Sequence, residues 1–479
     1  MRLELRALDH AAIPSRAPRH DSLMSRDDLI TSAFGRFVKV GGLVGRVGVS
    51  VLGEQAVGLL RDGPSKQLKK AENMVRNAAR IADTLGEMKG AAMKVGQMLS
   101  LHEGLLPPEV SAVLSVLQKE APSVSFEVME RELHRELENF DALFESLEPE
   151  AFAAASIGQV HHGVLRDGRQ VAVKIQYPRA DRMVEADLKN LKALLGNLVR
   201  LFTDIDFEPI WEEVKERLLE ELDYLNEAEN MRRMAAMHAD LPEIIVPDVV
   251  QEATTRRVLT MEFVDGIPPA EAVSDRYPAR LKDQWGAVLF EFVLRGLLEQ
   301  RFLHADPNIA NFAFREDGKV AVYDYGCMKE IPADLATGYQ GLLHSVIGKR
   351  KAAIPEILHD MGIFKEGGAP LPRAMTDPYV EMVQDIVRTS PPYTFGEDAS
   401  IYESLYELGM SNWQDATDIR FPRDVVFINR TLGGLFGNLS ALGATGPWRK
   451  TIRKYAAHPS EARRTEGLRR RESKITVRT

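Results

Sequence analysis

The chain has 479 residues, enough for roughly two to four domains, with 44% hydrophobic and 27% charged residues, the composition of a soluble globular protein able to bury a core. A net charge of −9 argues against nucleic acid as a partner, and the single cysteine, Cys327, excludes intramolecular disulfides and cysteine-rich zinc sites. The average conceals a basic end: residues 449–479 carry eleven Lys/Arg against three Glu, a balance of +8 that leaves about −17 on the remainder.

Such a tail is either a solvated, partly disordered end or an attraction to an anionic membrane surface. No uncharged apolar run reaches about eighteen residues, so no transmembrane helix is expected. The first 25 residues read as a poorly ordered leader. Glu4 and Asp9 sit among the arginines and no apolar core follows, which excludes a secretory signal and weakens a transit peptide.

Residues 28–60 are apolar and dotted with Gly41, Gly45 and Gly48, but Lys39 and Arg46 interrupt them. That pattern suits a helix packed on another helix or lying on a membrane. After Gly63-Pro64 a long helix is expected over 66–101. Within it Lys94 and Gln97 share a face. Pro107-Pro108 opens a short helix ending near Ala121-Pro122, and another helix is expected over 125–144. Small residues Ala153, Ala154, Ala155 and Ser156 then read as a loop, followed by strands Gly158–Leu165 and Val171–Ile175 about an Asp167-Gly168 turn. Lys174 lies in the second strand.

Helices are expected over 180–202 and 208–238, the latter carrying Glu221, Asp223 and Glu227. Any one of these carboxylates can pair with a lysine from elsewhere. Two short strands follow up to Gly266. A strongly apolar helix over 281–302 leads into His304, and helices continue from Asp324 to about Ala456, broken near 367–372 and at Pro391-Pro392. Cys327, Met231, Met234 and Met237 read as packing residues, and His161-His162 as strand decoration without a third metal ligand.

The chemistry concentrates in residues 301–328, RFLHADPNIANFAFREDGKVAVYDYGCM. Asp306 and Asn311 precede a short apolar strand, Val320–Tyr323, with Asp324 just after it. Carboxylate, amide and carboxylate on a loop–strand–turn frame suit Mg²⁺ on a nucleoside triphosphate, because magnesium takes hard oxygen ligands. HADPNIAN stands where a kinase has H-R-D-x-x-x-x-N, and DYG where it has D-F-G. Either fragment alone is ordinary turn chemistry. The order decides otherwise: a small-residue loop, a strand lysine, a helix carboxylate, a strand ending in residues 261–264, then these two motifs. In that order Lys174 contacts phosphates, the backbone at Glu262 and Val264 meets an adenine edge, Asn311 and Asp324 hold Mg²⁺, and Asp306 orients or deprotonates the attacking group.

FAAASIGQVHHG, VAVKIQYP, ELDYLNEAEN, KVGQMLS and HADPNIANF together resemble the UbiB/ADCK (AarF-domain) atypical kinases. INRTLGGLFGNL and Asn308 resemble the coenzyme-Q-supporting branch. The resemblance implies an α+β, two-lobed, protein-kinase-like fold with a helical extension packed over the nucleotide cleft. The implied division is a leader and glycine-dotted helix (1–62), the extension (63–124), an N-lobe (125–264), a helical C-lobe (265–456) and a basic tail (457–479). It implies that Ala153, Ala154, Ala155 and Ser156 replace a glycine-rich loop, and that Lys94 and Gln97 fold over the site, held by Glu221 and Asp223. Glu227 then becomes the partner of Lys174.

The implied function is that of an ATP- and Mg²⁺-dependent ATPase or phosphotransferase supporting isoprenoid-quinone biosynthesis. The implied partners are quinone precursors or membrane lipid, an anionic membrane surface and a second copy of the chain as a homodimer. The implied location is the cytoplasmic membrane surface, or the mitochondrial matrix face in a eukaryote. A nucleotide-gated lipid- or partner-binding protein is the alternative, ahead of a conventional protein kinase. Departures are Ile309-Ala310, where many members carry Pro-Gly, and Tyr325 in place of Phe.

Overall fold

The computed structural model describes Val95 and, between 124 and 456, all residues except 156, parts of 182–206, 366, 388–391 and 398–418. Lys94, Gln97, Ser156, the glycine-dotted segment and the tail beyond 456 lie outside the described residues.

Helix α1 (Phe126–Glu136) begins after Ser125 and buries Met129 and Leu133. A single turn, Phe140–Leu143, leads into β1 (Phe144–Ala155), which pairs with β2 (Gly158–Leu165) and through it with β3 (Gln170–Gln176). Side chains alternate across a strand, and β3 uses both faces. Val171, Val173 and Ile175 join Met129 and Leu133 in one apolar cluster, whereas Ala172 joins the main core on the opposite side. Lys174 therefore points away from α1. β1 corrects the sequence reading, which expected helix to 144 and a loop at 153–156. Its mostly exposed, irregular pattern (Glu145, Glu148, Glu150) lacks the alternation that marks a strand, and Ala153, Ala154 and Ala155 are paired strand residues.

The helix expected over 208–238 is two helices, α2 (Phe207–Glu220) and α3 (Tyr224–Met237). Asp223 separates them as an N-cap, its carboxylate accepting from the N–H groups of Leu225 and Asn226 at 3.1 and 3.4 Å. The Gln176 amide, two positions beyond Lys174, donates to the Leu222 carbonyl at 2.9 Å and fixes the break against β3. On α3, Met231 and Met234 are buried and Met237 packs against the core, as expected of packing residues.

β4 (Ile244–Ile245) pairs with a later strand, and β5 (Val258–Glu262) completes the antiparallel sheet β1-β2-β3-β5. Helix α4 (Ala279–Arg295) is buried along most of its length and widens into a π-turn at Gly296–Gln300. A Cβ at Gly296 would come 3.0 Å from the Phe302 carbonyl oxygen, so glycine permits this approach. Arg301, with φ of +54°, reverses the chain into β6 (Phe302–His304).

Strands β7 (Phe312–Phe314) and β8 (Val320–Val322) form a hairpin and, with β4, a second sheet in the order β4-β8-β7. β9 (Met328–Glu330) pairs with β6. The described residues that follow are mostly helical: α5 (Ala333–Ile347), α6 (Ile354–Asp360), α7 (Arg373–Ile386), α8 (Arg423–Leu442) and α9 (Trp448–Tyr455). The expectation of helices alone is corrected by two short antiparallel pairings, Phe364–Lys365 with Ile419–Arg420 and Tyr393–Thr394 with Thr445–Gly446. Helix α8 packs beside α4 and reaches the loop after β6. There Asn438 donates to the Pro307 carbonyl at 2.9 Å, and a Cβ at Gly434 would lie 2.3 Å from Pro307 Cγ. Among the described residues no helix is long and apolar enough to cross a membrane.

Candidate nucleotide site

Lys174 is the centre of the site. Its ammonium donates to both carboxylate oxygens of Glu227 at 2.9 Å each and lies 3.4 Å from Asp324 Oδ2. The Tyr224 ring stands 5.1 Å from the same nitrogen. Lys174 and Glu227 side chains are 10% and 3% exposed and Asp324 is 38% exposed, so one end of the triad opens outward. Burial pulls the Lys174 ammonium down, but Asp324 and Glu227 outweigh it and hold it charged well above the ordinary lysine range. Burial pushes the Glu227 carboxyl up, against the pull of Lys174. The bonds to both of its oxygens fix the ammonium in one position, which a flexible point charge needs before it can serve a phosphate.

The same carboxylate reaches the DYG turn. Tyr325 N–H donates to Glu227 Oε1 at 3.4 Å, and Asn230, one turn later on α3, donates to the Tyr325 carbonyl at 3.1 Å. Asp324 Oδ1 accepts from Gly326 N–H at 2.9 Å, and its backbone carbonyl is held by His304 Nε2 at 2.6 Å. Strand lysine, helix and turn are thus one bonded unit. A cleft at this point is lined by Ala155, Ile157, Lys174, Glu221, Tyr224, Glu227, Asp324 and Gly326.

Asn311 reaches the site through the β7–β8 hairpin. Phe312 is opposite Val322, and Tyr323 N–H donates to the Asn311 carbonyl at 2.9 Å, which sets Asn311 beside Asp324. The Asn311 amide nitrogen is spent on the Asp306 carbonyl at 3.3 Å, leaving its oxygen as the donor atom for a cation. An amide oxygen and a partly exposed carboxylate suit magnesium, whose remaining ligands are phosphate oxygens and water. Among the described residues no group of three His, Cys, Asp or Glu is placed to hold a metal.

Asp306, half-buried, accepts from the N–H of Asn308 at 3.4 Å and lies outside the cleft lining. Glu262 ends β5 and is exposed; Val264 follows, half-buried, with its carbonyl accepting from the Tyr323 hydroxyl at 2.7 Å. Ala153 and Ala154 lie on β1, with Ala155 at its cleft end. Glu221 lines the cleft, whereas Asp223 caps α3 and lies 3.5 Å from Arg256. His161 is buried, with Nδ1 at 2.9 Å from the Glu148 carbonyl, and His162 meets the Glu148 carboxylate. Cys327 is buried. The ties made by His304, Asn230 and Tyr323 have no signal at the level of sequence, because each joins segments 20 to 95 residues apart.

The frame has a counterpart in known proteins. Residues 116–358, half of the chain, match the ABC1 atypical kinase-like domain. The chain belongs to this family. ABC1-family relatives include atypical kinase COQ8B, mitochondrial, of Danio rerio, 32% identical over 361 residues that cover 73% of this chain and 56% of that protein. The Rattus norvegicus protein of the same name is 36% identical over 320 residues, covering 64% and 59% respectively. The chain thus spans a little over half the length of these curated relatives. Among solved structures, the Rv3197–erythromycin complex from Mycobacterium tuberculosis has a TM-score of 0.58 at 27% identity, covering 82% of this chain and 99% of that one. The kinase-like fold expected of an ABC1-family chain is present.

Tyr325, where the motif of other kinases has Phe, is fully buried, and its hydroxyl has no hydrogen-bond partner among the described residues. An unsatisfied buried hydroxyl costs about 1–3 kcal/mol. Tyr325→Phe is therefore expected to raise unfolding stability by about 1 kcal/mol or more, read as an increased urea midpoint at unchanged slope. A lowered midpoint would mean that the hydroxyl is satisfied.

Proposed function

We propose that this chain is an ATP- and Mg²⁺-dependent ATPase or phosphotransferase of the ABC1 family that supports isoprenoid-quinone lipid biosynthesis at a membrane surface. The observation that carries the reading is Lys174, held by both oxygens of Glu227 and by Asp324 at the mouth of a polar cleft. In this reading Lys174 contacts the phosphates and Glu227 positions it. Asn311 and Asp324 supply the protein's ligands to Mg²⁺, which when bound neutralises charge on the phosphate oxygens. Ala153, Ala154, Ala155 and Ser156 border the phosphates, and the backbone of Glu262 and Val264 meets the base. Asp306 orients the attacking group. Lys94, Gln97, Glu221 and Asp223 form the cover expected of the family. Quinone precursors, anionic lipid and a second copy of the chain belong to the proposal as partners, as does attachment to a membrane facing the cytoplasm or mitochondrial matrix.

The test is Asp324→Asn. Calorimetry with ATP is expected to give Mg²⁺-dependent binding in the natural chain and a loss of about a hundredfold or more in the variant, with phosphate release abolished. Undiminished hydrolysis would remove Asp324 from the assignment. Tight ATP binding without phosphate release, with or without anionic liposomes or phenolic quinone precursors, would replace turnover by nucleotide-gated binding.

A further inference from the structure

Tyr224 lines the cleft with a polar atom that nothing described engages. It opens α3 one position after the Asp223 cap, and its own N–H donates to the Arg256 carbonyl at 3.1 Å. Glu227 lies three positions further along, on the same helix face, and both residues meet Lys174. Tyr224 is 1% exposed, and its phenolic oxygen is buried with no hydrogen-bond partner among the described residues. The charges that act on that oxygen belong to Lys174, Glu227, Asp324 and Glu221, all of which line the cleft. The hydroxyl therefore sits at the charged end of the cleft.

A phenol has one proton to donate and lone pairs with which to accept. Burial pushes the Tyr224 phenol well above the ordinary tyrosine range, so it keeps that proton at neutral pH. A buried donor left unsatisfied is destabilising, and a ligand or an ordered water is the usual reason for one. Among the described residues lining the cleft, the side chains with a proton to give are those of Lys174 and Tyr224. The Lys174 ammonium has three, and its contacts go to the two Glu227 oxygens and to Asp324. The Tyr224 proton is the uncommitted one. Tyr325 makes the contrast, since its hydroxyl is also buried and unpartnered among the described residues but does not line the cleft. An occupant that satisfies Tyr224 has to bring an acceptor oxygen, and a charged phosphate oxygen makes such bonds short and strong.

We propose that the Tyr224 hydroxyl is a binding group of the cleft that donates its proton to a phosphate oxygen of the nucleotide. The inference rests on the reading of the cleft as a nucleotide site and adds a neutral donor to its phosphate end. Being neutral, the hydroxyl can hold a phosphate oxygen without altering the charge balance among Lys174, Glu227 and Asp324.

The test uses the full chain, with MgATP and magnesium tripolyphosphate as calorimetric probes and urea unfolding alongside. Tyr224→Phe keeps the ring beside Lys174 and removes the hydroxyl alone. It is expected to raise the urea midpoint of the unliganded chain at unchanged slope. It should also weaken both probes by about tenfold or more, the effect of losing a hydrogen bond to a charged group. A substitution that stabilises the unliganded chain while weakening its ligand marks a group kept for binding, and a packing role would not produce that pair of changes. A raised midpoint with unchanged affinity for both probes overturns the proposal. Loss confined to MgATP overturns it by moving the contact to the nucleoside. A lowered midpoint overturns it as well, because the hydroxyl would then be satisfied in the unliganded chain. Failure of the natural chain to bind either probe overturns the nucleotide reading itself, and the Tyr224 contact with it.

Discussion

Glu227→Ala is expected to lower unfolding stability by about 3–5 kcal/mol, the range seen when one partner of a buried ion pair is removed. The variant leaves the Lys174 ammonium, 8% exposed as a residue, with Asp324 at 3.4 Å as its remaining carboxylate. It also removes the acceptor of the Tyr325 N–H and so loosens the turn that carries Asp324. Against a typical total of about 5–15 kcal/mol, that loss is large. Removing both charges separates stability from function. Lys174→Met combined with Glu227→Leu is expected to recover most of the urea midpoint, because a buried pair replaced by apolar groups of similar volume is often neutral. It should still bind no MgATP. A Glu227→Ala variant as stable as the natural chain would show that water reaches Lys174 and that the pair is not buried in solution.

Gly434→Val tests the other wall of the site. Any side chain at 434 begins with a Cβ, which would lie 2.3 Å from Pro307 Cγ and 2.5 Å from its Cβ. The pyrrolidine ring cannot swing aside as a long flexible side chain would, and Asn438 holds the Pro307 carbonyl one turn further along α8. Either α8 backs away or the loop carrying Asp306 and Asn311 shifts. Overpacking of this kind costs about 1–3 kcal/mol. A displacement near 1 Å can cost about a hundredfold in rate, so phosphate release is expected to fall by that order. On the proposed reading, in which Lys174 and Asp324 hold the phosphates and the cation, MgATP affinity should change by only a few-fold. Natural turnover in a folded Gly434→Val variant would mean that the loop has slack the structure does not display.

The parts legible in the sequence were those written locally. The hairpin about Asp167-Gly168, the short strand just before Asp324 and the buried helix before His304 each have a pattern contained within about twenty residues, and each is present. β1 was not legible, because Glu145, Glu148 and Glu150 make an edge strand with bulges look like a polar helix extension. The break at Asp223 was missed for a different reason. Asp223 and Glu227 share a helical spacing, but the Asp223 carboxylate satisfies amides at the start of a new helix instead of standing on the face of a continuous one. Of the three acidic residues left open by spacing, Glu227 meets Lys174. The family resemblance had already singled out Glu227, whereas the ties of Asn230, His304 and Tyr323 come only from distances across the fold.

The seat of α8 on the Pro307 loop also has a consequence for biosynthesis. Asn438 is 131 residues beyond Pro307 in the chain. At about 5–20 residues per second, the loop leaves the ribosome roughly ten seconds before the helix that braces it. During that interval Leu289, Phe292, Val293 and Phe312 lack the cover of Thr431 and Leu435, so an apolar surface waits in the open on the nascent chain. A ribosome stalled before residue 423 would display this half-built wall. Such an intermediate is a natural client for a chaperone and a natural target for quality control.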